Sequence, residues 1–309
     1  MGDTMDRRLW KTRVAPRNVF FTLLVLGSIA ISWRTLLAVF SAAFYNEQYS
    51  HILLILPVSV ALLYGEHSRV FGDVEYSFSA GFFLLPVGMA LVWAVRHATF
   101  LSSNDVLSLR MLLLVSLLVA AFIFCFGIQA LRAAAFPLLF LFLLVPIPDL
   151  VLEWFVWLLQ RCSTDLTCLM LKVANIPVLK TDFVLSLPGI DIEVARECSG
   201  IRSSLILLIV SLVLGHFFLR PGWRQIVLGL LVFPITVVKN SLRIFTLSIL
   251  GVYVSPSFLN GNLHRRGGIL FFSLALGLVI LVVWWLKKPE KKMPATNEHF
   301  PGSGAVRPL

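Results

Sequence analysis

A thiol stands at the head of a long apolar run in this chain. The stretch ECSGIRSS at 197–204 places Cys198 just ahead of Ile201, where an apolar segment begins. Ser199 and Gly200 give the backbone freedom at that junction, and Arg202 adds a positive charge. A free thiol has a pKa near ~8.5 and the thiolate is the species that attacks, so a helix amino end with cations nearby favours reaction. Two later clusters supply complementary groups. VVKNSLRI at 237–244 carries Arg243, whose planar donor fork suits an oxyanion or a carboxylate. Asn240 lies at i−3 from it and shares its helical face. NLHRRGG at 262–268 carries His264, a proton carrier near neutral pH, followed by Gly267 and Gly268, which permit a tight turn into the last apolar run. A thiol, an imidazole and a guanidinium suit covalent acyl transfer. Cys198 would attack a peptide carbonyl. His264 would orient or deprotonate the thiol and protonate the leaving amine, and Arg243 would stabilise the tetrahedral oxyanion. Each residue also has a plain reading: a packing cysteine, an arginine that snorkels to headgroups, a loop histidine with no role. His51 and His97 are reserve histidines on the same predicted side.

The chain must hold these groups in a bilayer. Of its 309 residues, 58% are hydrophobic, well above a soluble domain, and several apolar runs approach twenty residues. The expectation is an all-α polytopic membrane protein of about eight transmembrane helices. The net charge of +10 gathers at the two ends, from Arg7 to Arg17 and from Lys287 to Lys292, which marks cytoplasmic flanks and argues against nucleic-acid binding. Residues 1–17 form a basic, loose amino-terminal segment, 18–286 the membrane domain, and 287–309 a basic and then disordered tail. Crossings are expected at about 19–40, 52–64, 78–95, 107–126, 133–145, 201–218, 225–238 and 269–285. Pro57 and Pro137 fall inside two short ones, and Arg34 interrupts the first. The apolar piece 244–254 is too short to span alone, so it is either re-entrant or the tail of a kinked seventh helix.

Residues 149–197 differ from ordinary spans. An amphipathic stretch over 150–173 suits the interface or the wall of a polar cleft. Two short extended pieces then flank Pro188-Gly189 and predict a small hairpin over the outer surface. Eight crossings return both termini to the cytoplasm and put Cys198, Arg243 and the 262–266 loop together outside. Cys125 is expected to pack in an apolar run, and Cys162 and Cys168 would pair only if the backbone permits. No cysteine–histidine spacing suggests a metal site, and no cofactor is expected.

At ECSGIRS, NSLRI and HRRGG the chain resembles the exosortase/archaeosortase family of membrane transpeptidase-like enzymes, as does the approach LPGIDIEVARECSG at 187–200. The resemblance runs from the second crossing to the eighth. It implies Cys198 as nucleophile with Arg243 and His264 as partners, supported by Ser199, Gly200, Arg202, Asn240 and Gly268. It also implies a cysteine protease or transpeptidase of the bacterial inner membrane, with its site facing the periplasm. Its substrates would be exported proteins bearing a carboxy-terminal sorting signal of Pro-Glu-Pro type: a motif, a membrane helix and a basic tail. The product would pass to water or to a lipid or surface anchor, in a setting tied to exopolysaccharide production. Arg161, Lys172, Lys180 and Arg196 are candidates to neutralise an acidic residue of the motif. Two other readings stand beside this one: a transporter or flippase for polysaccharide precursors, and a non-catalytic assembly protein.

Overall fold

The computed structural model describes residues 3–46, 49–71, 101–220, 222–255 and 268–287, with isolated positions at 88, 90 and 93. It is mostly helical. Among the described residues four helices are long and apolar enough to cross a membrane: α5 (Ser103–Ala133), α8 (Ile201–Phe218), α9 (Gly222–Tyr253) and α10 (Gly268–Leu286). The number rises to six if each of two bent pairs counts as one span.

Among the described residues the expected eight is therefore not confirmed, for local reasons. The helix α3 (Ile52–Gly65) has 14 residues, about 21 Å at 1.5 Å per residue, short of a ~30 Å hydrocarbon core. The 78–95 crossing lies almost wholly outside the described residues. The first crossing is a bent pair, α1 (Asp3–Ile31) and α2 (Trp33–Tyr45), meeting at 70°. Its break falls at Ser32, not at Arg34, after Ser28 has turned its hydroxyl back onto the Leu24 carbonyl at 2.8 Å. Helix backbone begins at Asp3, so the basic amino-terminal segment is helical rather than loose.

The α5 helix carries one internal break at Gly127, with φ 82 and ψ 178, a conformation essentially confined to glycine. The break expected between the crossings at 107–126 and 133–145 is thus a kink inside a longer helix. The fifth crossing is α6 (Ala135–Phe140) with a 3-10 turn over Leu141–Leu144, and the chain then swings by 91° into α7 (Asp149–Val173). The piece at 244–254 settles as the continuation of α9. A short helix α4 (His67–Val70) follows α3.

Three strands follow α7. β2 (Val184–Leu187) and β3 (Ile190–Glu193) pair antiparallel, with Leu187 opposite Ile190 across the expected Pro188-Gly189 turn. Gly189 has φ +83, as the third position of a type II turn requires. A strand not anticipated, β1 (Leu179–Thr181), joins the other edge through a turn in which Asp182 takes φ 51. The sheet packs through Leu185, Leu187 and Val194 onto Leu171 of α7 and Ile244 of α9.

The α8, α9 and α10 helices share one apolar core that includes Leu207, Leu228, Val232, Ala275 and Val279. Only residues 219–221 join α8 to α9, so these two run antiparallel. Lys287 lies 5.1 Å above the ring of Phe218, which puts the end of α10 beside the end of α8. With rises of about 27 Å and 28 Å, the starts of α8 and α10 are level at the opposite end. Arg243, 21 residues along α9, stands about 31 Å from Gly222 and reaches the same level.

Candidate functional site at the amino end of α8

Cys198 occupies a 3-10 turn, Arg196–Ser199, that packs on α7 and ends at Gly200. Gly200 has φ 77, and α8 starts at the next residue. The reason for a glycine is double. The left-handed conformation disfavours a side chain, and an added Cβ would lie 3.2 Å from the Asn240 Oδ1 and 3.4 Å from the Lys239 Nζ. The turn that carries Cys198 is therefore seated directly on α9, at the helical turn before Arg243.

Below it runs a buried polar seam. Gln160, Ser163, Thr164 and Thr167 line one face of α7, Asn240 and Ser241 meet them from α9, and Lys239 reaches from α9 to α8; all seven are buried. Asn240 donates from Nδ2 to the Ser163 hydroxyl at 3.2 Å, and Ser241 donates to the Ser163 carbonyl at 3.1 Å. Gln160 Nε2 donates to the Val194 carbonyl at 2.7 Å and so ties the strand approach to α7. Leu150, Trp154 and Trp157 point outward instead. The buried face of α7 thus mixes uncharged polar groups with Leu152, Val156, Leu159, Cys168 and Leu171, while its charged residues Glu153, Arg161, Asp165 and Lys172 lie on the exposed side.

The start of α8 is pinned to this seam. Ser203 donates to the Gly200 carbonyl at 3.0 Å, Ser204 donates to the same oxygen at 2.6 Å, and Lys239 donates to the Ser203 hydroxyl. Ser199 is wholly buried, and its hydroxyl accepts from the Ile201 amide at 3.4 Å. Arg202 is exposed on the first turn.

The structure thus brings Ser199, Gly200 and Asn240 together by contact. It puts the backbone of Cys198 two residues from that contact and Arg243 one helical turn beyond it. The side chain of Cys198 and the whole of His264 lie outside the described residues. The 256–267 segment that holds His264 leaves α9 after Ser255 and rejoins at Gly268, at the same end of the bundle. An added Cβ at Gly268 would meet nothing, so no crowding there demands a glycine. Lys239 was not anticipated as part of this neighbourhood. The signal was present, since a lysine inside an apolar run asks for a partner.

Three of the four cations considered for an acidic motif have carboxylates of their own. Arg161 and Lys180 share Asp165, and Arg196 lies 3.6 Å from Glu153. Lys172 is exposed in the last turn of α7. Cys125, Cys162 and Cys168 are free thiols, and Cys125 is buried as expected. Cys162 and Cys168, six residues apart on one helix, fall about 120° apart around it and about 9 Å apart along it and cannot pair. Among the described residues no group of three histidine, cysteine or carboxylate side chains is placed to hold a metal ion.

A family model described as transmembrane exosortase (Exosortase_EpsH) matches residues 33–281, which is most of the chain. No curated protein and no solved structure matches it.

Proposed function

The chain belongs to the transmembrane exosortase family, and from that premise we propose that it is a cysteine protease or transpeptidase cutting carboxy-terminal sorting signals of exported proteins. The thiolate of Cys198 attacks the scissile carbonyl, Arg243 stabilises the oxyanion, and His264 protonates the leaving amine. The thioacyl bond is then cleared by water or by an anchor nucleophile. The site faces the periplasm of a bacterial inner membrane, and both termini are cytoplasmic.

One observation carries this reading. The Cys198 turn closes through Gly200 onto the helix that bears Asn240 and Arg243, so a substrate helix arriving along the bilayer would meet thiol and guanidinium at one depth. The buried seam beneath the turn supports this reading, because catalytic positioning needs a rigid base.

The test is processing of an exported reporter that carries a Pro-Glu-Pro motif, a membrane helix and a basic tail. Cys198→Ala and Cys198→Ser should abolish processing while the enzyme accumulates normally in the membrane. Mass spectrometry of the wild-type product reads out the cleavage point and any added anchor. Continued processing by either variant would exclude thioacyl chemistry.

A further inference from the structure

Among the described residues the small sheet has two open edges, and one of them leads into the Cys198 turn. β3 pairs with β2 on one side only. The Val194 amide donates to the Phe183 carbonyl at 2.9 Å, which makes those two residues a bonded pair. Bonded and unbonded pairs alternate along an antiparallel ladder. Ile192–Leu185 and Ile190–Leu187 are therefore bonded, while Asp191–Ser186 and Glu193–Val184 are not. The amides and carbonyls of Asp191 and Glu193 turn away from β2, to the open side. Among the described residues no hydrogen bond reaches them there, and both residues are exposed. Such an edge is a template for a further strand.

Several features favour this edge over that of β1. β3 has four residues and β1 has three. The core side of β3 is fixed, because Ile190 and Ile192 pack with Leu185 and with Ile244 of α9, and the Val194 carbonyl just beyond it accepts from Gln160. The chain also runs on in the same manner: Ala195 is extended, with φ −61 and ψ 162, and the 3-10 turn starts at Arg196. Two extended residues and three 3-10 steps put the backbone of Cys198 no more than about 13 Å beyond Glu193, the length of about four extended residues. β1 lies two strand spacings to the side, about 9.6 Å away.

Resting on the reaction proposed above, we propose that the open edge of β3 binds the sorting motif, which joins the sheet as a fourth strand through the backbone of Asp191 and Glu193. A sorting signal passes from the outer side into the membrane, as β3 does on its way to α8, so the added strand runs parallel to β3. The scissile bond then lies about four residues past the one beside Glu193. An added strand turns the amide and carbonyl of only every second residue to its neighbour. Prolines two apart, as in Pro-Glu-Pro, both fit the positions turned away, where a missing N–H costs no ladder bond. They also hold the segment extended before it binds.

The experiment measures binding rather than cleavage, on the full Cys198→Ala chain in nanodiscs. The probe is a labelled synthetic peptide with the reporter's Pro-Glu-Pro motif and its flanking residues. Asp191→Pro removes one edge amide and leaves the ladder to β2 intact, while Asp191→Ala keeps that amide and sets the contribution of the side chain. Asp191→Pro should bind the peptide about fivefold more weakly than Asp191→Ala, the worth of roughly one hydrogen bond, and the two should unfold at the same temperature. Equal affinities overturn the proposal. So does a lower unfolding temperature for Asp191→Pro with unchanged affinity, which would mean that another part of this chain fills the edge. If Asp191→Pro does not accumulate, N-methylation of the peptide carries the test on the parent Cys198→Ala chain. Affinity should fall roughly tenfold on methylation at the motif Glu and at the residues two before and two after it, and little at those three before and three after. Losses without that alternation overturn the proposal. Binding needs no thiol, so processing that persists in Cys198→Ala would refute the reaction and leave this result standing.

Discussion

Gly200→Ala is the sharpest probe of the Cys198 turn. A side chain in the left-handed region costs about 1–2 kcal/mol. At φ 77 the new methyl would also stand 3.2 Å from the Asn240 Oδ1. That amide has little room to yield, because it is buried and its Nδ2 bonds to Ser163 at 3.2 Å, near the limit for a hydrogen bond. Disturbing the bond costs a further ~0.5–1.5 kcal/mol. The sum centres on about 2.5 kcal/mol, which reduces the population of the seated turn on the order of 70-fold. The reference is Gly189→Ala, where φ is +83 but nothing lies within 4 Å, so that strain acts alone. Unfolding temperature in detergent and processing of the reporter are the two readouts. Gly200→Ala should lose most processing and unfold at a lower temperature than Gly189→Ala. If the two variants behave alike, the close seating on α9 does not hold the turn, and the argument for the site fails with it.

Other perturbations follow from the same contacts. Asn240→Ala removes a buried partner of Ser163 and should destabilise by roughly 1–3 kcal/mol, and combining it with Ser163→Ala should cost less than the sum of the two single changes in thermal unfolding. Gly127→Ala forces a side chain into glycine-only backbone inside α5, so membrane accumulation and unfolding temperature should both fall, by about 1–3 kcal/mol in stability. Tyr49, between α2 and α3, is half-buried and donates to Asn104 at 2.9 Å, while Asn104 donates to Asp149 at 2.7 Å. Burial, then the carboxylates of Asp149 and Asp105, push its phenol above the usual tyrosine value of 10.0. A raised folded-state value contributes stability in full below the ordinary tyrosine range, and that contribution is lost as pH rises through the folded value. Unfolding temperature should therefore drop above pH ~10, and Tyr49→Phe should flatten that drop.

Local pattern was enough for a good part of this molecule. The limits of α8 and α10 were legible to within a residue or so, because each is an uninterrupted apolar run closed by polar residues, and a helix in lipid must satisfy its own backbone. The Pro188-Gly189 hairpin was legible because those two residues dictate a turn by their own φ preferences. The motif at 197–204 already placed a thiol at a helix start. Contacts between distant segments were a different matter. Nothing local in α9 distinguishes a second short helix from a continuous one, since Ile244–Tyr253 is held by packing against the small sheet and α7. The partners of the uncharged polar groups on α7 were equally hidden. Which of them would be buried was settled only when α9 brought Asn240 and Ser241 to meet Ser163. Lys239 is buried by a different pairing, with Ser203 at the start of α8. Sequence decides which segments leave water, because apolar burial is roughly additive along the chain. Which buried polar groups find one another depends on how the helices are laid side by side, and only the tertiary structure sets that.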